Sequence, residues 1–167
     1  MKLLIVRHGP AGDPDEWERQ GKDDRLRPLT PKGKKEVRKA AAGLVRLVPA
    51  LDLIATSPWL RAAQTAEIVN KEYGVDVEEV EQLTSDHRPE DLSPWLSRQR
   101  GREMVALVGH EPHLGLLMGY LLTGKSAAFV DLKKGGASLI DMDDPSRAGT
   151  GCLEWLLGDR ELRRLAE

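Results

Sequence analysis

The sequence predicts an α/β fold: a three-layer α/β/α sandwich whose sheet is mostly parallel and has an antiparallel edge. Short apolar runs alternate with helical segments through most of the chain. This alternation is typical of βαβ units, whose sheet is covered by helices on both faces. The last two apolar runs flank a turn instead, which predicts a hairpin at the edge of the sheet.

The first part of the chain predicts a strand, a loop and a helix. Leu3 to Val6 are apolar and a Gly-Pro pair follows at residues 9 and 10, so we expect a buried strand over residues 2–6. Residues 10–29 are polar and predict a long loop, a feature that is often functional in compact domains. A helix is predicted to begin at Thr30-Pro31, because threonine is a good N-cap and proline fits the first helical turn.

The same signals recur along the rest of the chain. Residues 51–56 form a second apolar run, and Ser57-Pro58 then opens a helix over 58–73 that ends at Gly74. The remaining predicted elements are an edge strand at 75–80, a helix over 89–100 with acidic residues in its first turn, a buried strand at 104–108, a helix from Pro112, hairpin strands at 137–142 and 152–156, and a closing helix near 159–166.

Composition excludes several classes of protein. The 167 residues are predicted to form one domain, residues 1–167, which needs no metal or disulfide staple. A net charge of −2 does not favour nucleic acid or an anionic membrane as a partner. The single cysteine, Cys152, is interpreted as a strand residue in a reducing compartment. With no leader-like segment and no bilayer-length apolar run, the sequence predicts a cytoplasmic protein.

Basic residues follow three of the predicted parallel strands. Arg7-His8 ends the first strand, Arg61 lies in the first turn of the helix after the second, and His110 follows the third. Because ligands of such sheets bind at the carboxyl ends of the strands, we expect these side chains to converge. Two guanidiniums, two imidazoles and nearby helix N-termini favour a phosphate ligand.

Taken singly, each of these residues also fits an ordinary strand-end or helix-surface position. The segment His110-Glu111-Pro112-His113 raises a metal site as an alternative, since two histidines lie three residues apart. Proline between them and a spacing unlike that of zinc peptidases argue against it, so no metal is predicted. His113 is interpreted as a first-turn helix residue that faces solvent or the rim of the pocket.

Three motifs together resemble those of the histidine phosphatase superfamily, also called the phosphoglycerate mutase-like family. They are Arg7-His8-Gly9, the segment SPWLRAAQTA from Ser57 to Ala66, and Val108-Gly109-His110. The segment RPLTPKG from Arg27 to Gly33 and the short chain length are typical of its SixA branch of phosphohistidine phosphatases. The resemblance runs from residue 1 to about residue 142 and implies the phosphoglycerate mutase-like fold.

The resemblance implies a role for each matching residue. His8 is expected to be the nucleophile that carries the phosphoryl group, with Arg7, Arg61 and His110 binding the phosphoryl oxygens. A second set of residues is expected to contact the substrate: Gly9, Arg27 and Ser57. Neighbouring cationic groups favour the neutral imidazole that a nucleophile needs, and arginines can neutralise phosphate charge, so no cofactor is expected.

The general acid of the family has no clear counterpart. The stretch from Glu81 to His87 lacks the acidic-Gly context in which many members carry it. Glu111, next to His110, is the substitute we consider, and the alternative is that it caps the helix at Pro112. A phosphohistidine substrate needs less acid catalysis than an alkyl ester, because protonated imidazole is a good leaving group.

The resemblance therefore implies a phosphatase that acts through a phosphohistidine on His8. The expected substrate is phosphohistidine in a partner protein. Two alternatives stay open: a phosphomonoesterase for small molecules, and a domain that binds phosphate without turnover. We do not expect nucleic-acid or membrane partners.

Overall fold

The computed structural model describes residues 1–167 and contains one six-stranded sheet. The strands lie in the order β3-β2-β4-β1-β5-β6 across the sheet. Their bounds are β1 Lys2–Arg7, β2 Leu53–Thr56, β3 Val77–Glu79, β4 Met104–Gly109, β5 Ala137–Met142 and β6 Gly151–Leu157. The first four strands are parallel, and β5 runs antiparallel to both β1 and β6. The predicted parallel sheet with an antiparallel edge is confirmed.

Six α-helices accompany the sheet. They are α1 Pro14–Arg19, α2 Pro31–Leu47, α3 Leu60–Tyr73, α4 Ser93–Arg98, α5 His113–Thr123 and α6 Asp159–Leu165. The predicted loop at 10–29 contains α1 and a 3₁₀ turn at Asp24–Leu26. The single helix predicted over 89–100 was wrong in detail, because a 3₁₀ turn at Pro89–Leu92 precedes α4. None of the helices has the length and apolar content that crossing a bilayer requires.

Two apolar cores lie on opposite faces of the sheet. Alternate residues of β1 point to each of them: Leu4 and Val6 pack with α2, α3 and α6, whereas Leu3 and Ile5 pack with α4 and α5. Successive strand residues face opposite sides, so a strand buried on both faces must be apolar throughout. This arrangement confirms the three-layer sandwich.

The long loop is closed at its base by backbone contacts. Ala11 and Leu29 form a β-bridge, and the Thr30 N–H donates to the Pro10 carbonyl at 3.1 Å. The Leu29 N–H donates to Gln64 Oε1 of α3 at 2.9 Å. Gly33 of α2 fits against the same turn, since a Cβ there would lie 2.0 Å from the Pro10 carbonyl oxygen. The base of the loop is therefore fixed to α2 and α3.

Candidate active site

The register of the sheet brings three strand ends into one row. Arg7 of β1 lies opposite Gly109 of β4, and Thr56 of β2 lies opposite Val108. The chain continues this pairing beyond β1, where the His8 N–H donates to the Gly109 carbonyl at 3.0 Å. The residues that follow the three strands therefore share one edge, as the parallel-sheet rule predicts.

His8 is held in one tautomer by its own neighbour. Its ring is buried, 5% exposed, and Nδ1 lies 2.7 Å from the Gly9 carbonyl oxygen. A carbonyl only accepts, so Nδ1 must carry the proton. The lone pair is then on Nε2, which is the atom that can attack phosphorus.

Both histidines of the site are neutral at physiological pH. Burial, followed by the charges of Arg61 and Arg7, lowers the pKa of His8 to about 3 despite the hydrogen bond to Gly9. Burial also lowers the pKa of His110 to about 2, with His8 and Arg61 adding to the effect. The two ring centroids are 5.1 Å apart. A neutral imidazole keeps the lone pair that nucleophilic attack requires.

Ser57 and Trp59 orient His110. The Ser57 hydroxyl lies 2.8 Å from His110 Nε2 and accepts a hydrogen bond from the backbone N–H of Trp59 at 3.3 Å. The Trp59 ring packs on the imidazole with centroids 4.8 Å apart. The hydroxyl can donate to Nε2 or accept from it; when it donates, the His110 proton lies on Nδ1. That nitrogen is buried and has no partner within the protein.

Arg7 is held by the segment before β5. Its Nη1 donates to the Leu132 carbonyl at 2.7 Å, and Asp131 lies 3.6 Å away with a largely exposed carboxylate. The Nε of Arg7 is buried and without a partner. A buried donor of this kind costs free energy unless a ligand accepts from it.

Arg61 is held in a similar way by the long loop. Nη1 donates to the Asp24 carbonyl at 2.9 Å and Nη2 to the Asp24 carboxylate at 3.1 Å. The guanidinium also lies over the Trp59 ring, 4.9 Å from its centroid. As in Arg7, the buried Nε has no partner. Two arginines thus keep a free, buried Nε–H each.

Arg27 reaches the site from the same loop. Its Nε donates to the Asp24 carboxylate at 2.7 Å, and its Nη1 donates to the Gly12 carbonyl at 2.6 Å. Although it follows an exposed turn, Arg27 is only 8% exposed. Its charge contributes, after burial and the nearer charges, to the low pKa of His110.

Glu111 is occupied by two backbone donors. Oε2 accepts from Gly115 in the first turn of α5, and Oε1 accepts from Leu132, both at 3.1 Å. Burial raises the pKa of its carboxyl, although these two hydrogen bonds act in the opposite direction. The contacts are those of the capping alternative, and the acid role of Glu111 stays a prediction.

Two further predicted residues, Gly9 and His113, make contacts that the sequence did not indicate, and the substrate-contact role of Gly9 stays a prediction. The Gly9 N–H donates to the Thr65 hydroxyl at 3.1 Å, so it is used within the protein. A Cβ on Gly9 would lie 2.3 Å from a methyl group of Val37, which explains the need for glycine there. The expected exposure of His113 was wrong: it is 2% exposed, because the first turn of α5 packs into the core.

Sequence reasoning missed the residues that hold the arginines. Asp24 is one of several charged residues in a polar loop, and Leu132 contributes only a backbone carbonyl. Neither has a local sequence signal. Thr65 and Trp59 belong to the second motif. Thr65 lies four residues after Arg61 and Trp59 two residues before it, and this spacing is the only sequence signal that could have indicated their contacts with Arg61.

Comparisons with known proteins identify the family whose motifs form this site. The profile of the histidine phosphatase superfamily (branch 1) matches residues 3–85. An uncharacterized protein of Picosynechococcus sp. (strain ATCC 27264 / PCC 7002 / PR-6) is 34% identical over 139 residues, which cover 81% of this chain and 82% of that protein.

Solved structures extend the similarity over nearly the whole chain. The protein histidine phosphatase SixA complexed with tungstate is 27% identical with a TM-score of 0.80, covering 97% of this chain and 99% of that one. The alpha-ribazole phosphatase from Shigella flexneri has a TM-score of 0.76 at 18% identity, covering 95% and 97%, which shows a shared fold. From its fold, its motifs and these matches, the chain belongs to the histidine phosphatase superfamily.

Proposed function

We propose that this phosphatase transfers a phosphoryl group to His8 and then to water, and that its substrate is phosphohistidine in a partner protein. One observation carries the proposal: a neutral, tautomer-fixed His8 lies beside three buried nitrogens without partners, Arg7 Nε, Arg61 Nε and His110 Nδ1. A phosphoryl group has three oxygens to accept from such donors.

In the first step, the lone pair of His8 Nε2 forms a bond to phosphorus while the bond to the leaving group breaks. With a phosphohistidine substrate, the P–N bond breaks and its electron pair stays on the leaving ring nitrogen. The proton already on the other nitrogen of that ring makes the leaving group a neutral imidazole. The negative charge of the transition state spreads over the phosphoryl oxygens, where the arginine donors stabilise it. Each well-placed donor is worth on the order of a few kcal/mol.

In the second step, water attacks phosphorus and the bond to Nε2 breaks. Inorganic phosphate leaves with the two protons of the water, the electron pair of the P–N bond returns to Nε2, and His8 is again neutral with its proton on Nδ1. Dividing hydrolysis into two transfers replaces one difficult displacement by two easier ones.

The state of Glu111 favours a phosphohistidine substrate. Both of its oxygens accept backbone N–H groups, and a proton on either would weaken the bond to that oxygen. An alkyl ester needs a proton on its leaving oxygen, whereas a protonated imidazole leaves without further help. The similarity to the protein histidine phosphatase SixA supports the same choice.

A small-molecule phosphomonoesterase is the second candidate. The fold is shared with an alpha-ribazole phosphatase, and a cleft of about 220 Å³ beside Trp59 offers room for a small leaving group. Its lining includes charged residues of both signs, among them Arg25, Glu81 and Asp86.

The test compares substrates under the same conditions. The protein is incubated with a phosphohistidine-bearing carrier protein, with free phosphohistidine and with p-nitrophenyl phosphate. We expect the highest kcat/KM for the carrier protein. Faster turnover of the aryl ester would reject the proposed substrate class, and equal rates for free and protein-bound phosphohistidine would reject the protein part of the proposal.

A trapping experiment separates catalysis from simple binding. After a quench without acid, labelled phosphate is expected on His8 of the wild type and not on the His8→Ala variant. Phosphate binding without label on the wild-type protein would identify a binding domain instead.

A further inference from the structure

We infer that Asp24 is a positioning residue, whose carboxylate holds Arg61 and Arg27 in their binding arrangement before a phosphoryl group arrives. The inference rests on the proposed function, in which these arginines bind phosphate. Asp24 lies in the 3₁₀ turn of the long loop and is not among the residues that the family motifs indicate.

The Asp24 carboxylate joins the two guanidiniums directly. One oxygen accepts from Arg27 Nε at 2.7 Å, and the other accepts from Arg61 Nη2 at 3.1 Å. The backbone carbonyl of the same residue accepts from Arg61 Nη1 at 2.9 Å. One residue thus makes three hydrogen bonds to two arginines, and charge-assisted bonds of this kind are the strong ones.

Without this carboxylate the two arginines would repel each other. Arg61 and Arg27 are 4% and 8% exposed, so water screens their charges poorly. Burial lowers the pKa of Arg61, the Arg27 charge lowers it further, and Asp24 raises it again. Burial would raise the pKa of the Asp24 carboxyl, but the hydrogen bond from Arg27 and the two guanidinium charges outweigh it and keep the pKa low. Asp24 is therefore ionised at neutral pH.

The carboxylate could also act as a competitor that occupies the arginines in place of phosphate. The contacts on Arg61 argue for positioning. Asp24 takes the terminal nitrogens Nη1 and Nη2, whereas the buried Nε stays without a partner. Asp24 thus holds the guanidinium from its outer end and leaves a donor for the ligand. Arg27 keeps its Nη2 outside the hydrogen bonds to Asp24 and Gly12.

The sign of one measurement separates positioning from competition. In Asp24→Asn, the amide N–H₂ cannot accept from an arginine, so one guanidinium loses its side-chain partner. We expect the Kd of inorganic phosphate, measured by calorimetry at fixed ionic strength, to rise about tenfold, the size of one charge-assisted hydrogen bond. Charge alone predicts the opposite, because removing a carboxylate makes the site more positive. Unchanged or tighter binding overturns the inference.

Asp23→Asn is the matched control. Asp23 is the neighbouring residue and carries the same charge, and its carboxylate accepts only from the Arg25 N–H. We expect a change of less than twofold in the phosphate Kd of this variant. An equal loss in both variants would show that loss of the turn, and not of the arginine contacts, explains the effect.

Two further readouts keep the test independent of folding and of turnover. Asp24→Glu retains the charge and is expected to recover part of the affinity, with a thermal midpoint close to that of Asp24→Asn. Absence of any recovery would count against positioning. Phosphate binding does not depend on chemistry, so an inactive wild type that binds phosphate through Asp24-positioned arginines would refute the proposed function and leave this inference intact.

Discussion

The arginines of the site are held by two loops that use different chemistry. In the loop at 10–29, the Asp24 carboxylate bridges Arg61 and Arg27. In the loop at 124–136, a neutral carbonyl of Leu132 holds Arg7, and the nearby Asp131 is too exposed to hold it strongly. One loop shares a hydrogen-bonded carboxylate between two arginines. The other holds Arg7 by a neutral carbonyl, and the Asp131 and Glu111 carboxylates act on its charge without a hydrogen bond to it. Arg7 should therefore act more strongly on a bound phosphoryl group.

Removing His8 tests whether the arginines of both loops depend on the same nucleophile, Nε2 of His8, for turnover. We expect His8→Ala to abolish turnover and labelling, because no other group replaces the Nε2 lone pair. Cooperative unfolding should remain, since the ring lies at the end of a strand. Activity and thermal unfolding are measured beside His87→Ala, whose partly exposed ring pairs with Asp91 and lines the cleft beside Trp59 rather than the phosphate-binding residues. Loss of cooperative unfolding in His8→Ala alone would make His8 structural.

Lysine variants compare the two loops directly. Arg7→Lys and Arg61→Lys keep the charge but lose the free Nε–H. For Arg7→Lys we expect a fall in kcat/KM of about 10²–10³-fold, the usual effect of losing one well-placed donor. Arg61→Lys should fall less, about tenfold, because Asp24 can still pair with the ammonium and Arg27 remains near the phosphate. Arg38→Lys on the exposed face of α2 is the control. A larger loss in Arg61→Lys would reverse the comparison.

Glu111→Gln tests the hydrogen bonds that hold Arg7 in place through Leu132. Glu111 fixes the Leu132 N–H, and the Leu132 carbonyl fixes Arg7, so loss of one carboxylate oxygen should disturb the arginine. We expect about tenfold slower cleavage of both phosphohistidine and aryl ester. The acid hypothesis predicts a different pattern, in which the ester is slowed much more than phosphohistidine. Rates with both substrates therefore decide between the two roles.

The difference between the loops also marks the limit of prediction from sequence. The strand ends could be predicted, because apolar runs locate the strands and parallel pairing forces their carboxyl ends to one edge. The arginine partners could not. Asp24 contacts Arg61 across 37 residues, and Leu132 contacts Arg7 across 125. The contacting groups are backbone carbonyls, which every residue has, and a carboxylate, which many residues have.

His113 illustrates a second limit. Its position after a proline predicts the first turn of a helix, but not which face of that turn is buried. The apolar content of α5, in which Leu114, Leu117 and Met118 are also buried, draws the whole first turn into the core. Tertiary packing thus buries an imidazole that local rules leave at the surface.

Acid should affect the two parts of the site in different pH ranges. Burial first, with nearby charges, lowers the pKa values of His8, His110 and His113 to about 3, 2 and 4. In the unfolded chain each titrates near 6.5. These histidines therefore contribute stability that is fully present above pH 6.5 and is lost as pH falls toward their folded pKa values. Asp24 also has a lowered pKa, so its contribution is lost only below the ordinary range of an aspartate.

Urea unfolding at pH 7, 6 and 5 measures the histidine part with little contribution from Asp24. Each neutral histidine adds about 1.4 kcal/mol per pH unit to the fall in the free energy of unfolding once pH is well below 6.5. His113→Leu should reduce the slope between pH 6 and 5 by about that amount, because it removes one of the three groups. Asp24→Asn should leave this slope unchanged, since a carboxylate with a lowered pKa stays ionised in both states through most of that range. If Asp24→Asn changes this slope and His113→Leu does not, the acid sensitivity belongs to the loop rather than to the buried histidines.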